Sequence, residues 1–149
     1  MIVNGNRLIA ASPIKDMETQ KHRSHGVSWG LAEAGYDIRL AQDVWLHPFR
    51  RFVLASSMEE FDIPTDMIGI CHDKSTNIRR GISVFNTVLE CGWRGFLTIE
   101  IGYHCWRPIK LPAGMGIAQI IFHRLECPAS YTGGKYDNQP ARPVAAILR

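Results

Sequence analysis

Hydrophobic and polar residues alternate along much of this chain with a period of two, the repeat of a strand that buries one face. In "FLTIEI", residues 96–101, Leu97, Ile99 and Ile101 fall on one face, and Phe96, Thr98 and Glu100 on the other. "GMGIAQIIFHRL", residues 114–125, reads as another strong strand, rich in β-branched side chains. "RRFVLASSMEEFDIP" carries a third strand that ends near Pro64. "GISVFNTVLE" and "GFLTIEIGYHCW" read as two strands flanking the turn signal "CGWRG". Glycine and proline punctuate the stretches between them. Residues 13–26, "PIKDMETQKHRSHG", show no 3.6-residue stripe and are expected to form an arm or long loop, as part of a loop-like region over 1–30. Few segments could pack as helices. The pattern predicts a mostly β domain with little helix, a sandwich or a distorted, jelly-roll-like barrel.

A length of 149 residues suits one domain spanning 1–149. A net charge of +3 with scattered basic residues does not argue for nucleic acid. Cys71, Cys91, Cys105 and Cys127 form no C-x-x-C pair, so they read as reduced thiols of a cytoplasmic protein rather than a disulfide frame or a zinc site. No apolar run approaches a membrane span, and no signal peptide is evident.

The chemistry concentrates in residues 73–101. "KSTNIRRG" can form one helical turn, with Ser75 and Arg79 four apart on one face. Lys74, Ser75 and Thr76 would then lie at its amino end, where free N–H groups favour an anion. The same residues would also serve as a solvated, hydroxyl-capped loop. Glu100 stands mid-strand, where carboxylates are disfavoured. Glu90 precedes the "CGW" turn, ten residues earlier. Trp93 adds an aromatic surface. The loop "YTGGKY" carries Tyr131 and Lys135 between glycines and suits a mobile lid over 128–149, or simply a turn. Gln119 is an amide in an apolar strand, either a satisfied core group or a site contact.

Five segments in order resemble the dUTPase and dCTP deaminase superfamily. "AGYDIRL" resembles its first motif. The run from "FVLASS" through "DKSTNIRRG" resembles a strand, a proline turn and "GKSSxxRxG". "LECGWRGFLTIEI" resembles "IDxGWxGxLTLEI", "GMGIAQIIF" resembles "GxxIAQxxF", and "YTGGKYDNQ" resembles the deaminase tail. The deaminase branch has an acidic residue at the position of Glu100 and a serine and an arginine at those of Ser75 and Arg79. The resemblance implies a dUTPase-type fold, a homotrimer with sites between subunits, and magnesium bound with the triphosphate. It implies conversion of dCTP, or a modified dCTP, to the uracil nucleotide, with Glu100, Ser75 and Arg79 catalytic. Lys74, Thr76, Glu90, Trp93, Gln119, Tyr131, Lys135 and Gln139 would contact the substrate. Alternatives are a dUTPase or dCTPase that releases pyrophosphate, a bifunctional deaminase–diphosphatase, and a non-catalytic nucleotide-binding trimer. The sequence lacks the H-x-E and P-C-x-x-C elements of zinc deaminases. A carboxylate must therefore serve as base. The segment from Gly81 to Glu90 is about two residues shorter than the resemblance leads one to expect, which bears on the base accepted.

Overall fold

A computed structural model describes residues 1–148. The elements in chain order are β1 (Ile2–Val3), α1 (Gly5–Ala11), β2 (Lys21–Ser24), β3 (Val27–Leu31), β4 (Tyr36–Arg39), β5 (Val44–Leu46) and β6 (Phe52–Asp62). They continue with β7 (Met67–Asp73), α2 (Ser75–Ile78), β8 (Ile82–Val84), β9 (Val88–Leu89), β10 (Arg94–Tyr103), β11 (Ile109–Leu111) and β12 (Gly116–Arg124). The mostly β reading with little helix holds. The strands form sheets of seven, three and two strands, rather than one closed barrel. Among the described residues, no helix is long and apolar enough to cross a membrane.

The seven-stranded sheet runs β2-β3-β4-β12-β7-β9. β12 is its spine: one edge pairs with β7, and the other is shared by β4 and the short β1. The apolar alternation of β12 explains this central place, since Ile117, Ala118, Ile120 and Phe122 are fully buried. The second sheet, β6-β10-β8, is centred on β10, whose Leu97, Ile99 and Ile101 face inward as their spacing predicts. Side chains from both sheets meet in one core that includes Ile38, Leu40, Phe61, Ile99, Ile101 and Phe122.

Two expectations need correction. The arm at 13–26 is stitched to the fold: Ile14 is buried and bridges to Phe61, and Lys21–Ser24 form β2. β2 and β3 make a hairpin whose turn, His25-Gly26, has positive φ at both residues (49° and 78°), the requirement of a tight type I′ connection. Three of four β2 residues are basic, so an apolar-period search passes over this edge strand. The stretch "GISVFNTVLE" is not one strand. β8 pairs with β10, and β9 pairs with β7 in the other sheet. The chain changes sheet at Phe85–Thr87, where Phe85 donates its N–H to the Glu100 carbonyl (3.0 Å) and Thr87 accepts from the Cys71 N–H (2.9 Å).

Candidate active site

Glu100 lies on β10, half-buried, on the wall of a cavity of about 610 Å³. Burial pushes its carboxyl above the usual carboxylate range, against a weaker opposing backbone hydrogen bond. Phe52, Leu54 and Leu89 supply apolar wall around it, and the exposed Glu90 stands at the same cavity. The pocket thus combines apolar wall with two carboxylates, and burial of one of them, Glu100, favours its protonated form.

The tail crosses this cavity. Gly95, at φ 121°, forms a parallel bridge with Gln139, and a Cβ at Gly95 would overlap the Gln139 backbone. Phe96 N–H donates to the Gln139 carbonyl (3.1 Å). The indole of Trp93 donates from Nε1 to the Tyr136 carbonyl (2.6 Å). The hydroxyl of Thr98 donates to Gln139 Oε1 and accepts from the Val144 N–H, both at 3.0 Å. Tyr131, Tyr136, Gln139 and Val144 therefore line the cavity with Glu100. Lys135 does not. Its Nζ donates to the Ile147 carbonyl (3.0 Å) and sits 5.1 Å from the Tyr136 ring.

A second cavity, of about 370 Å³, opens where α2 meets β4, β7 and β12. The predicted helical turn forms, with Lys74 at its N-cap. Asn77 is buried and donates from Nδ2 to the Gly116 and Ile117 carbonyls (3.1 Å each), which pins the turn to β12. Lys74, Ser75, Thr76 and Gln119 line this cavity together, with Asp37, Asp73 and Ser28. Lys74 is not a free cation. Its Nζ binds Asp37 Oδ2 and donates to Ser28 Oγ (3.1 Å). Asp37 is 2% exposed, and its other oxygen has no hydrogen-bond partner among the described residues.

Within one chain, then, Glu100, Glu90, Trp93, Tyr131 and Gln139 share one cavity, and Lys74, Ser75, Thr76 and Gln119 share the other. Arg79 lines neither. It is exposed at the end of α2, where its N–H donates to the Ser75 carbonyl (3.1 Å). Sequence reasoning missed the partners that hold Lys74 and the hydroxyl of Thr98. The signal for the first was Asp37, a carboxylate inside the strand "YDIR". Among the described residues, no group of three or more His, Cys, Asp or Glu could hold a metal. The second cavity offers carboxylate oxygens, which suit a hard divalent ion carried in with phosphates rather than a dedicated cage.

The dCTP deaminase-like family matches residues 36–125. The dCTP deaminase of Francisella tularensis subsp. novicida is 34% identical over an alignment covering 87% of this chain and 84% of that protein. The dCTP deaminase of Francisella philomiragia is also 34% identical, covering 76% of this chain and 77% of its own. Among solved structures, the 2'-deoxycytidine 5'-triphosphate deaminase of Agrobacterium tumefaciens has a TM-score of 0.59 at 18% identity, covering 83% of this chain and 47% of that one. A mutant dUTPase from phage phi11 of S. aureus, described with a structural Mg(II) ion, has a TM-score of 0.58 at 16% identity, covering 78% and 90%. The two structures share the fold, and the Francisella proteins carry the relationship in sequence. The chain belongs to the dCTP deaminase-like family.

Proposed function

We propose that this protein deaminates dCTP, or a modified dCTP, to the corresponding uracil nucleotide without zinc. The observation that carries the reading is Glu100: a half-buried carboxyl with a raised pKa on the wall of a largely apolar cavity. Water adds to C4 of the base, and Glu100 takes one of its protons and delivers it to N3. Glu100 then moves the remaining proton from the C4 hydroxyl to the departing amine, so that the C–N bond breaks, ammonia leaves, and a C4 carbonyl and an N3–H remain. Ser75 holds the water, and Arg79 fixes Glu100 or offsets developing charge. In one chain neither residue lines the Glu100 cavity, which supports a site assembled between subunits of a homotrimer. Lys74, Thr76 and Gln119 receive the triphosphate, and Lys135 reaches it only by leaving the Ile147 carbonyl. Tyr131 and Gln139 close the tail over the nucleotide. Magnesium would ride on the phosphate oxygens, with Asp37 and Asp73 placed to hold its water, and would offset phosphate charge.

One specific observation favours a second reading. Glu90 lines the same cavity as Glu100, so a water activated for attack on a phosphate would give pyrophosphate release, alone or beside deamination. Incubation with dCTP, dUTP and modified dCTPs, with ammonia and pyrophosphate read separately, distinguishes the two. Glu100→Gln should cut ammonia release by at least ~10²-fold, the scale of a general acid–base contribution. Nucleotide binding should survive. Glu90→Gln should affect only pyrophosphate. Full ammonia release from Glu100→Gln would sink the deaminase reading.

A further inference from the structure

Asp73 closes β7 and immediately precedes the Lys74–Ser75 turn. Its backbone registers with Ala118 of β12, so its place is set by the centre of the seven-stranded sheet. Its side chain crosses to the other sheet. Oδ1 accepts the backbone N–H of Val84 in β8, with N···O 2.5 Å. Val84 faces Ile101 on β10, and the next residue, Phe85, donates its N–H to the Glu100 carbonyl. The carboxylate of Asp73 also lines the second cavity beside Ser75 and Thr76. Beyond Val84 the chain runs on to Thr87, Val88 and Leu89, which line the first cavity with Glu100.

A single carboxylate thus ties the Ser75 turn to the segment that walls the Glu100 cavity. Besides that bond, the segment has the Phe85 N–H bond to the Glu100 carbonyl, the Cys71 N–H bond to the Thr87 carbonyl, and the pairing of β9 with β7. Phe85 and Asn86 are exposed, and β9 contributes only two residues to its sheet. A backbone amide bonded to a carboxylate is charge-assisted and roughly twice as strong as a neutral pair. We propose that Asp73 is a positioning residue: through the Val84 amide it fixes the wall formed by residues 84–89 relative to the Ser75 turn. The inference rests on the reading of the Glu100 cavity as the reacting pocket.

The test compares Asp73→Asn with Asp73→Ala in the full chain. Asparagine keeps an acceptor oxygen at the same reach, and alanine keeps none. Asp73→Ala should lower kcat for ammonia release by about tenfold or more, the scale of a misplaced reacting geometry. Asp73→Asn should restore most of it. Amide hydrogen exchange gives a readout independent of turnover. Val84 should be protected in the wild type and in Asp73→Asn, and should exchange fast in Asp73→Ala, with the change confined to residues 82–89. If Asp73→Ala does not fold, Asp73→Ser takes its place, since its hydroxyl stops one bond short of the Val84 amide. Wild-type kcat in Asp73→Ala, unchanged Val84 exchange, or equal loss in the Asn and Ala variants would each overturn the proposal. If the wild type released neither ammonia nor pyrophosphate, the functional reading would fall, and the exchange of Val84 would still decide whether Asp73 fixes the wall.

Discussion

The pair between Lys74 and Asp37 offers the largest single-site effect in the second cavity. Their side chains are 10% and 3% exposed, so neither has water to fall back on when its partner is removed. Truncating one member of a buried pair leaves the other charge uncompensated and costs about 3–5 kcal/mol. For a chain of this size each kcal/mol moves the melting temperature by about 2–4 °C, so Asp37→Ala should lower Tm by about 6–20 °C. Lys74→Met should cost less, because Asp37 keeps a hydrogen bond from Ser28 Oγ (3.0 Å). The double variant should cost less than the two singles together, with a coupling of about 0.5–3 kcal/mol in a thermal or urea cycle. Nucleotide binding separates the structural role from the proposed ligand role. With magnesium left out, Lys74→Met should weaken dCTP binding, whereas Asp37→Ala frees the ammonium and should not, once measured well below its Tm. Additive costs, each below about 1 kcal/mol, would show that the pair is not buried as described and refute the reasoning.

Two further predictions concern the other cavity. The raised pKa of Glu100 makes its ionised form a liability in the fold. Below the ordinary carboxyl value of 4.5 the folded and unfolded forms are both protonated and nothing is lost, and stability falls as pH rises through the folded pKa. Glu100→Gln should therefore match the wild type in Tm near pH 4 and exceed it near neutrality, and a constant difference across that range would contradict the assignment. Trp93→Phe keeps an aromatic ring facing Phe61, 6.0 Å away between centroids, but loses the donor to the Tyr136 carbonyl. It should cost about 0.5–1.5 kcal/mol and speed proteolysis within residues 131–148, and tail cleavage at the wild-type rate would count against the anchor.

The elements legible in the sequence are those whose burial is one-sided and strong. β10 and β12 follow from alternation, and the α2 turn follows from its hydroxyls and its position between strands. β2 was not legible because its residues, Lys21, His22, Arg23 and Ser24, carry no apolar period. It is held by the β3 ladder and by Ser24 Oγ donating to the Gly114 carbonyl (2.6 Å), contacts that depend on residues far along the chain. The break between β8 and β9 was hidden for the opposite reason. "ISVFNTVL" alternates well enough to be one strand, but Asp73 takes the Val84 amide and the chain is handed to the neighbouring sheet. At the candidate site, spacing correctly grouped Lys74, Ser75 and Thr76, because a single turn fixes them. It could not show that Lys74 is bound to Asp37, 37 residues away, nor that Arg79 lines neither cavity within one chain.

The charges around the second cavity constrain how it can work. Its lining sets two lysines against three carboxylates, and each lysine already has a carboxylate partner: Lys21 with Glu33, and Lys74 with Asp37. Such a surface repels a bare triphosphate, although the hydroxyl of Thr76 and the amide of Gln119 can donate to one. The proposed substrate therefore needs added positive charge on binding. A divalent ion on the phosphates would supply it, and Asp37 and Asp73 would then accept from its water rather than repel the substrate. On this account the carboxylates work against free anions and in favour of the metal-bound nucleotide. That would select the metal-bound form of the proposed substrate before its base reaches Glu100.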